Sequence, residues 1–263
     1  MQPQESFSLF ASYAADCRER PIRGFRREAF SHLVRYTALV DGAEGFVAFA
    51  HLPQGQESRW IREQVEYFRG IGQKFEWKVY DFDQPRNLKA LLEAEGFEPG
   101  EKEAFMVMPI SDQQITDVHP HRPGKVDIRP ITKAEQLDDV VSVQAQVWKH
   151  DFSWLGEMLA DLLQNTPDEI SIYGAYRKDT PVGCGWIQFP QGSRFADLHG
   201  GSVIEAERGQ GIYSELFAVR ADKARRRGYD FLAVDAAPMS RPILEKKGFI
   251  HVCHTVPMRL SER

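Results

Sequence analysis

In the last third of the chain, Gly200-Gly201-Ser202-Val203-Ile204 leads into Arg208-Gly209-Gln210-Gly211-Ile212-Tyr213. The β-prone run ends at Val203 to Ile204, the two glycines of Arg-Gly-Gln-Gly make a turn, and Ile212, Leu216, Val219 and Lys223 then recur at helical spacing. The pattern predicts strand, glycine turn, helix. Glycines at a helix entrance let the backbone come close to a ligand. The N–H groups of a first helical turn lack partners inside the helix and sit at the positive end of its dipole, so the geometry suits a phosphate or diphosphate. The dipole alone contributes only about 0.3–2 kcal/mol, so several convergent N–H donors have to carry the recognition. The same glycines also serve a plain helix start. No Gly-Lys-Ser/Thr is present, which excludes a P-loop. No third glycine with an acidic residue about twenty positions on is present either, which excludes a Rossmann dinucleotide site.

Downstream, Phe231-Leu232-Ala233-Val234-Asp235 reads as a buried strand. The segment Pro238 to Phe249, ending Leu244-Glu245-Lys246-Lys247-Gly248-Phe249, reads as a short helix closed by glycine, with a strand after it. Arg-Gly-Gln-Gly-Ile-Tyr resembles the Arg/Gln-x-x-Gly-x-Gly/Ala signature of the GNAT-type N-acetyltransferases, whose loop holds the pyrophosphate of acetyl-CoA. Arg208 and Gly211 match it, and Tyr213 stands where the family has a small residue. Leu-Glu-Lys-Lys-Gly-Phe is similar to the family's second motif, the helix after its fifth strand. The resemblance covers residues 126 to 260. It implies an α/β (α+β) fold with a mixed central sheet flanked by helices. It also implies transfer of an acetyl group from acetyl-CoA, as co-substrate, to a primary amine by direct attack in a ternary complex, with no metal.

Carried onto this chain, the resemblance gives each position a role. Gly201, Ser202 and Val203 would hydrogen-bond the pantetheine amides and polarise the thioester carbonyl, or serve plain sheet pairing. Arg208, Gly209, Gln210, Gly211, Ile212 and Tyr213 would receive the pyrophosphate. Ser240 would touch the cofactor or cap its own helix. Attack also requires the acceptor ammonium, with a pKa near 10, to lose a proton. Asp197 and His199 share a strand face because strand parity is two, and they are the candidate bases, or else surface and hydrogen-bonding residues. Many members of the family carry a Tyr acid where this chain has Leu244. That leaves protonation of the thiolate to another group or to solvent, or makes the protein a non-catalytic acyl-CoA-binding or scaffold protein.

These residues need elements to hold them. The pattern predicts a helix over residues 5 to 20 and a strand from Phe30 to Val40. A turn and a strand from Phe46 to Ala50 come next, then a helix presenting Trp60, Ile61, Val65 and Phe68. A strand at 75 to 80, a helix at 85 to 95 closed by Gly96, and a strand at 103 to 108 complete this half. Leu91-Leu92-Glu93-Ala94-Glu95-Gly96-Phe97 repeats the ending Ile243 to Phe249, which marks an internal duplication into two similar modules in tandem. Between Ala50 and Trp60 the first copy has only Gly55. Residues 1–110 are therefore a reduced, non-catalytic module that builds or covers the acceptor cleft or forms a homodimer. Residues 111–125, with His119, Pro120, His121 and Pro123, are a linker. Residues 126–263 are the catalytic module. It opens with a strand at Val126 to Ile131, Thr132 as a helix cap, and a helix from Ala134 to Trp148 with Leu137, Val140, Val141, Gln144 and Val147 along one face. A helix at 152 to 163 and strands at 170 to 176, 182 to 189 and 196 to 204 follow.

Composition agrees with a folded protein: 42% of the 263 residues are hydrophobic and 27% charged. A net charge of −5 supplies no basic field for nucleic acid. Three scattered cysteines suggest neither a disulfide framework nor a zinc site. The absence of a signal-like start and of an apolar run of about 18 residues predicts a cytoplasmic protein without a membrane partner.

Overall fold

The computed structural model describes residues 3–110 and 126–260, so the expected linker at 111–125 lies outside the described residues. The chain divides into two units. The first comprises Met1–Met106, Asp235–Glu245 and Ile250–Arg263, and the second Val107–Val234 with Lys246–Phe249.

In the first unit, α1 (Pro3–Glu19) precedes β1 (Phe25–Ala29), β2 (Val34–Ala38) and β3 (Gly45–Ala48). Next come α2 (Glu57–Gly70), β4 (Phe75–Tyr80), α3 (Leu88–Ala94), β5 (Phe97–Pro99) and the start of β6 (Glu103–Pro109). Strands β1, β2 and β3 form an antiparallel meander, and β3 pairs in parallel with β4. A parallel pair requires a crossover, which α2 provides. Its apolar side, Ile61, Val65 and Phe68, packs with Val47, Phe75 and Trp77 into one core. The strand expected from Phe30 to Val40 is β2, shorter at both ends, and β1 precedes it where no strand was expected. Alternation failed to reveal β1, Phe-Arg-Arg-Glu-Ala, because it is an edge strand with no fully buried residue.

The last strand, β12 (Ile250–Leu260), belongs to this unit although the sequence placed it with the second module. Thr255, Val256 and Met258 pair antiparallel with Tyr80, Val79 and Trp77, and Met258 is fully buried in the first unit's core. Short β5, which periodicity also missed, pairs with β12. Cys253 on β12 is a buried free thiol.

The second unit holds β7 (Asp127–Ile131), α4 (Leu137–Trp148), α5 (Ser153–Asn165), β8 (Ile170–Arg177), β9 (Thr180–Gln188), β10 (Phe195–Val203) and α6 (Ile212–Arg226), and most of β11 (Phe231–Ala236). Strands β7 to β10 pair antiparallel in sequence order, and β10 pairs in parallel with β11. Before α4, the Gln136 side chain accepts from the N–H groups of Thr132 and Lys133, so the helix start is tied by Gln136 and not by a Thr132 cap.

The path β3-α2-β4 repeats as β10-α6-β11. Setting Phe75 opposite Phe231 aligns Ile61, Gln64, Val65 and Phe68 with Phe217, Arg220, Ala221 and Ala224, all of them buried. Gly96 and Gly248, at φ 93° and 97°, follow α3 and α7 (Arg241–Glu245) as the repeated sequence required. Among the described residues no helix is long and apolar enough to cross a membrane.

Candidate functional site

The turn after β10 is built from backbone. Beyond a single 3₁₀ turn at Glu205–Glu207, Arg208 is extended, Gly209 has φ 74°, and Gly211 has φ 87° as the residue that enters α6. Both glycines occupy the left-handed region that side chains avoid, and a Cβ on either would meet nothing within 4 Å. They are required by conformation and not by crowding. Among the described residues the N–H groups of Gly209, Gln210 and Gly211 donate to no backbone carbonyl, and the first α6 bond runs from Glu215 N–H to the Gly211 carbonyl. The turn therefore presents a run of free donors at an exposed helix entrance, the arrangement that binds phosphate.

Its side chains brace it from behind. Arg177 of β8 makes a bidentate pair with Glu207 and donates to Gln210, which donates in turn to Glu207. Arg208 Nε reaches back 3.2 Å to the Val203 carbonyl. Ile212 is buried, while Tyr213 lies over Gly201, where a Cβ would come within 3.1 Å of the Tyr213 ring. The bare backbone of Gly201 is what allows a tyrosine at the place where a small residue was expected.

Strand β10 separates from β11 next to this turn. The parallel ladder covers only Phe195, Ala196 and Asp197 against Phe231, Leu232 and Ala233. On the other side, pairing with β9 shifts register between His199 and Ser202. Gly200 forms this bulge at φ 58°, and a Cβ there would lie 1.8 Å from the Trp186 ring. The bulge is held by two buried side chains. Gln144 Nε2 of α4 donates to the Gly200 carbonyl at 2.6 Å, and Arg220 Nη1 of α6 donates to the His199 carbonyl at 3.2 Å. Burial keeps the Arg220 guanidinium below its ordinary pKa and pushes the neighbouring Cys184 thiol up to about 12.

The sequence-predicted residues fall into distinct environments. His199 is exposed, beyond the last β11 pair, with its ring stacked on Trp186. Asp197 is 4% exposed, inside the paired stretch. Ser202 is buried, with its hydroxyl engaged by Gln144 and Trp148 and its backbone paired with Cys184 of β9. Val203 is buried. Ser240 belongs to the segment grouped with the first unit, and its hydroxyl donates to the Ala237 carbonyl at the start of α7. Leu244 is a core side chain there.

Sequence reasoning missed the two residues that hold the bulge. Gln144 interrupts the apolar face of α4, a signal that was available. Arg220 gives no such signal, because the helical spacing of Ile212, Leu216, Val219 and Lys223 points to a different stripe of α6. The buried face in fact runs through Leu216, Phe217, Arg220, Ala221 and Ala224, and Lys223 is exposed. Among the described residues no group of three or more metal-ligating side chains stands together.

Residues 135–249 match the model of the Acetyltransferase (GNAT) family. A search of curated proteins gives no match. Solved structures similar to the chain include a GCN5-related N-acetyltransferase from Kribbella flavida, at 12% identity over 99% of this chain and 96% of that one, with a TM-score of 0.69. A functionally unknown conserved protein from Staphylococcus epidermidis follows at 16% identity over 94% and 97%, TM-score 0.64. A tandem GNAT protein from the clavulanic acid biosynthesis pathway matches at 14% identity over 95% and 88%, TM-score 0.61. At these identities the likeness is one of fold, and the fold is that of GNAT proteins in a tandem arrangement.

Proposed function

We propose, from the match of residues 135–249 to the Acetyltransferase (GNAT) family model, that the protein moves an acetyl group from acetyl-CoA to a primary amine by direct attack in a ternary complex. The observation that carries this reading is the turn Arg208 to Gly211, whose free N–H groups and positive-φ glycines fit a diphosphate. The amides of Gly209, Gln210, Gly211 and Ile212 would hold that group, with Arg208 and Tyr213 at its flanks. The unpaired edge of β10 at Gly201, Ser202 and Val203 would receive the pantetheine amides and the thioester oxygen.

The chemistry asks little else of the chain. His199, exposed beside the separation of the strands, accepts the proton of the acceptor ammonium, and the freed amine attacks the thioester carbonyl carbon. The C–S bond breaks, the nitrogen releases its second proton to water as the amide forms, and the thiolate takes a proton from solvent, since Leu244 has none to give. Asp197 is the second candidate base, acting from the paired part of the strand. In this reading the first unit takes no acetyl-CoA, since its sequence lacks the glycine turn. There Phe49, at φ 57° just after β3, stacks on Tyr80 at 5.2 Å and 8°, with Phe10 against both.

The test is release of coenzyme thiol from acetyl-CoA with a panel of primary amines. We expect release with at least one amine, and none from Gly211→Asp, whose carboxylate would stand among the phosphate donors. Binding of acetyl-CoA without release across the panel would instead favour a non-catalytic acyl-CoA-binding or scaffold protein.

A further inference from the structure

Two carbonyls of β10 point away from the sheet ladder at the bulge, and each is taken by a buried polar side chain. Gln144 and Arg220 are both 2% exposed, and they come from helices on opposite faces of the sheet. The α4 side is defined by Cys184 and Trp186, which pack with Leu137, Val140 and Val143. The α6 side is defined by Gly183 and Gly185, where an added Cβ would come 3.2 Å from Leu216 and 2.8 Å from Arg220 Nη1 respectively.

Arg220 is an expensive residue to keep. A buried guanidinium without a carboxylate costs several kcal/mol unless other dipoles replace its water. Here, among the described residues, its partners are three backbone carbonyls, those of Leu216, Trp186 and His199, at 2.9, 3.3 and 3.2 Å. Gly185 and Gly201 leave it room: a Cβ on Gly201 would lie 3.4 Å from Nη2. Gln144 is similarly committed, donating to the Gly200 carbonyl and accepting from Ser202 Oγ at 3.3 Å. The first unit provides an internal comparison. At the place of Arg220 it has Gln64, which accepts from Arg35 at 3.2 Å, and that unit lacks the glycine turn. The cation and the turn occur in the same copy.

We propose that Gln144 and Arg220 are positioning residues, a two-sided clamp that draws the Gly200 and His199 carbonyls out of the ladder and so presents the β10 amides of Gly201 and Val203 to the acyl arm of the co-substrate. The inference rests on the acetyl-CoA reading above and adds the two side chains that shape the β10 edge for the pantetheine and acetyl end.

The two ends can be titrated separately on the full-length protein, using acetyl-CoA and 3′-phosphoadenosine 5′-diphosphate. In Gln144→Glu, which keeps the shape but offers the Gly200 carbonyl only acceptors, and in Arg220→Gln, which installs the first unit's residue, acetyl-CoA affinity falls at least about tenfold, while nucleotide affinity stays within about twofold of wild type. Arg220→Lys recovers part of the loss. Unfolding midpoints identify any variant that fails to fold; should Arg220→Gln do so, the isosteric Gln144→Glu decides. Equal weakening of both probes, or no weakening of either, overturns the clamp. A wild-type protein that binds neither probe removes the acetyl-CoA reading itself, which is a distinct result.

Discussion

Gly200 shows how one residue can be fixed by two demands at once. Its φ of 58° suits glycine, and a Cβ there would sit 1.8 Å from Trp186, whose ring stacks on His199. Gly200→Ala is therefore expected to destabilise the protein by about 2–4 kcal/mol, combining backbone strain with overpacking. Gly55→Ala, at φ 79° in open space, should cost only about 1 kcal/mol. Denaturant titration of both variants checks the contrast, and equal effects would contradict it. His199→Ala should slow turnover about 100-fold or more while leaving acetyl-CoA affinity unchanged, as for loss of a general base. Steady-state rates beside a direct titration read this, and an unaltered rate would move the role to Asp197. At this scale Gly209 and Gly211 were legible in the sequence, because helix entrances select a few residue types. Arg220 was not legible, because a charged residue on a buried face erases the amphipathic contrast that marks the face.

Among the elements, the strands of the first unit bring charges together in a place periodicity does not reveal. Lys78 of β4 pairs with Asp235 of β11, and Glu103 of β6 lies close enough to sense both. Burial opposes the Lys78 charge, but Asp235, Glu103 and Glu76 outweigh it and hold the ammonium above the usual lysine range. For Glu103, burial dominates. Lys78 pulls its carboxyl down, Asp235, Glu76 and Glu101 push it up, and it rests at about 7. A carboxyl raised in the folded state retains its proton where the unfolded chain has lost it. Its contribution to stability is therefore complete below about pH 4.5 and is lost as pH rises through about 7. Between pH 5 and 8 the wild type should lose on the order of 1–3 kcal/mol of stability relative to Glu103→Gln. Parallel unfolding curves for the two proteins across that range would contradict the assignment. Strand β6 itself was legible from its apolar run. Edge strand β1 and three-residue β5 were not, because neither has enough buried positions to make a pattern.

For the molecule as a whole, the duplication could be read from the two glycine-phenylalanine endings, and the course of β3-α2-β4 and β10-α6-β11 agrees with it. The ownership of the last strand could not be read. A sequence declares that 250–260 is a strand, but its partner β4 lies far away along the chain, and the pairing depends on tertiary packing of Met258 beside Trp77. One consequence is that residues 1–110 expressed alone lack a strand of their own core. They should show no cooperative unfolding transition, and co-expression with the remainder of the chain should restore one. A cooperative transition in the isolated fragment would show that β12 is dispensable.

The central claim concerns the backbone between β10 and α6, and a crystal structure of the protein soaked with acetyl-CoA tests it most directly. The account predicts the diphosphate on the N–H groups of Gly209 to Ile212, with the pantetheine running along β10 past Gly201. Density for the nucleotide at any other place, with the turn at Arg208 to Gly211 left bare, would contradict it.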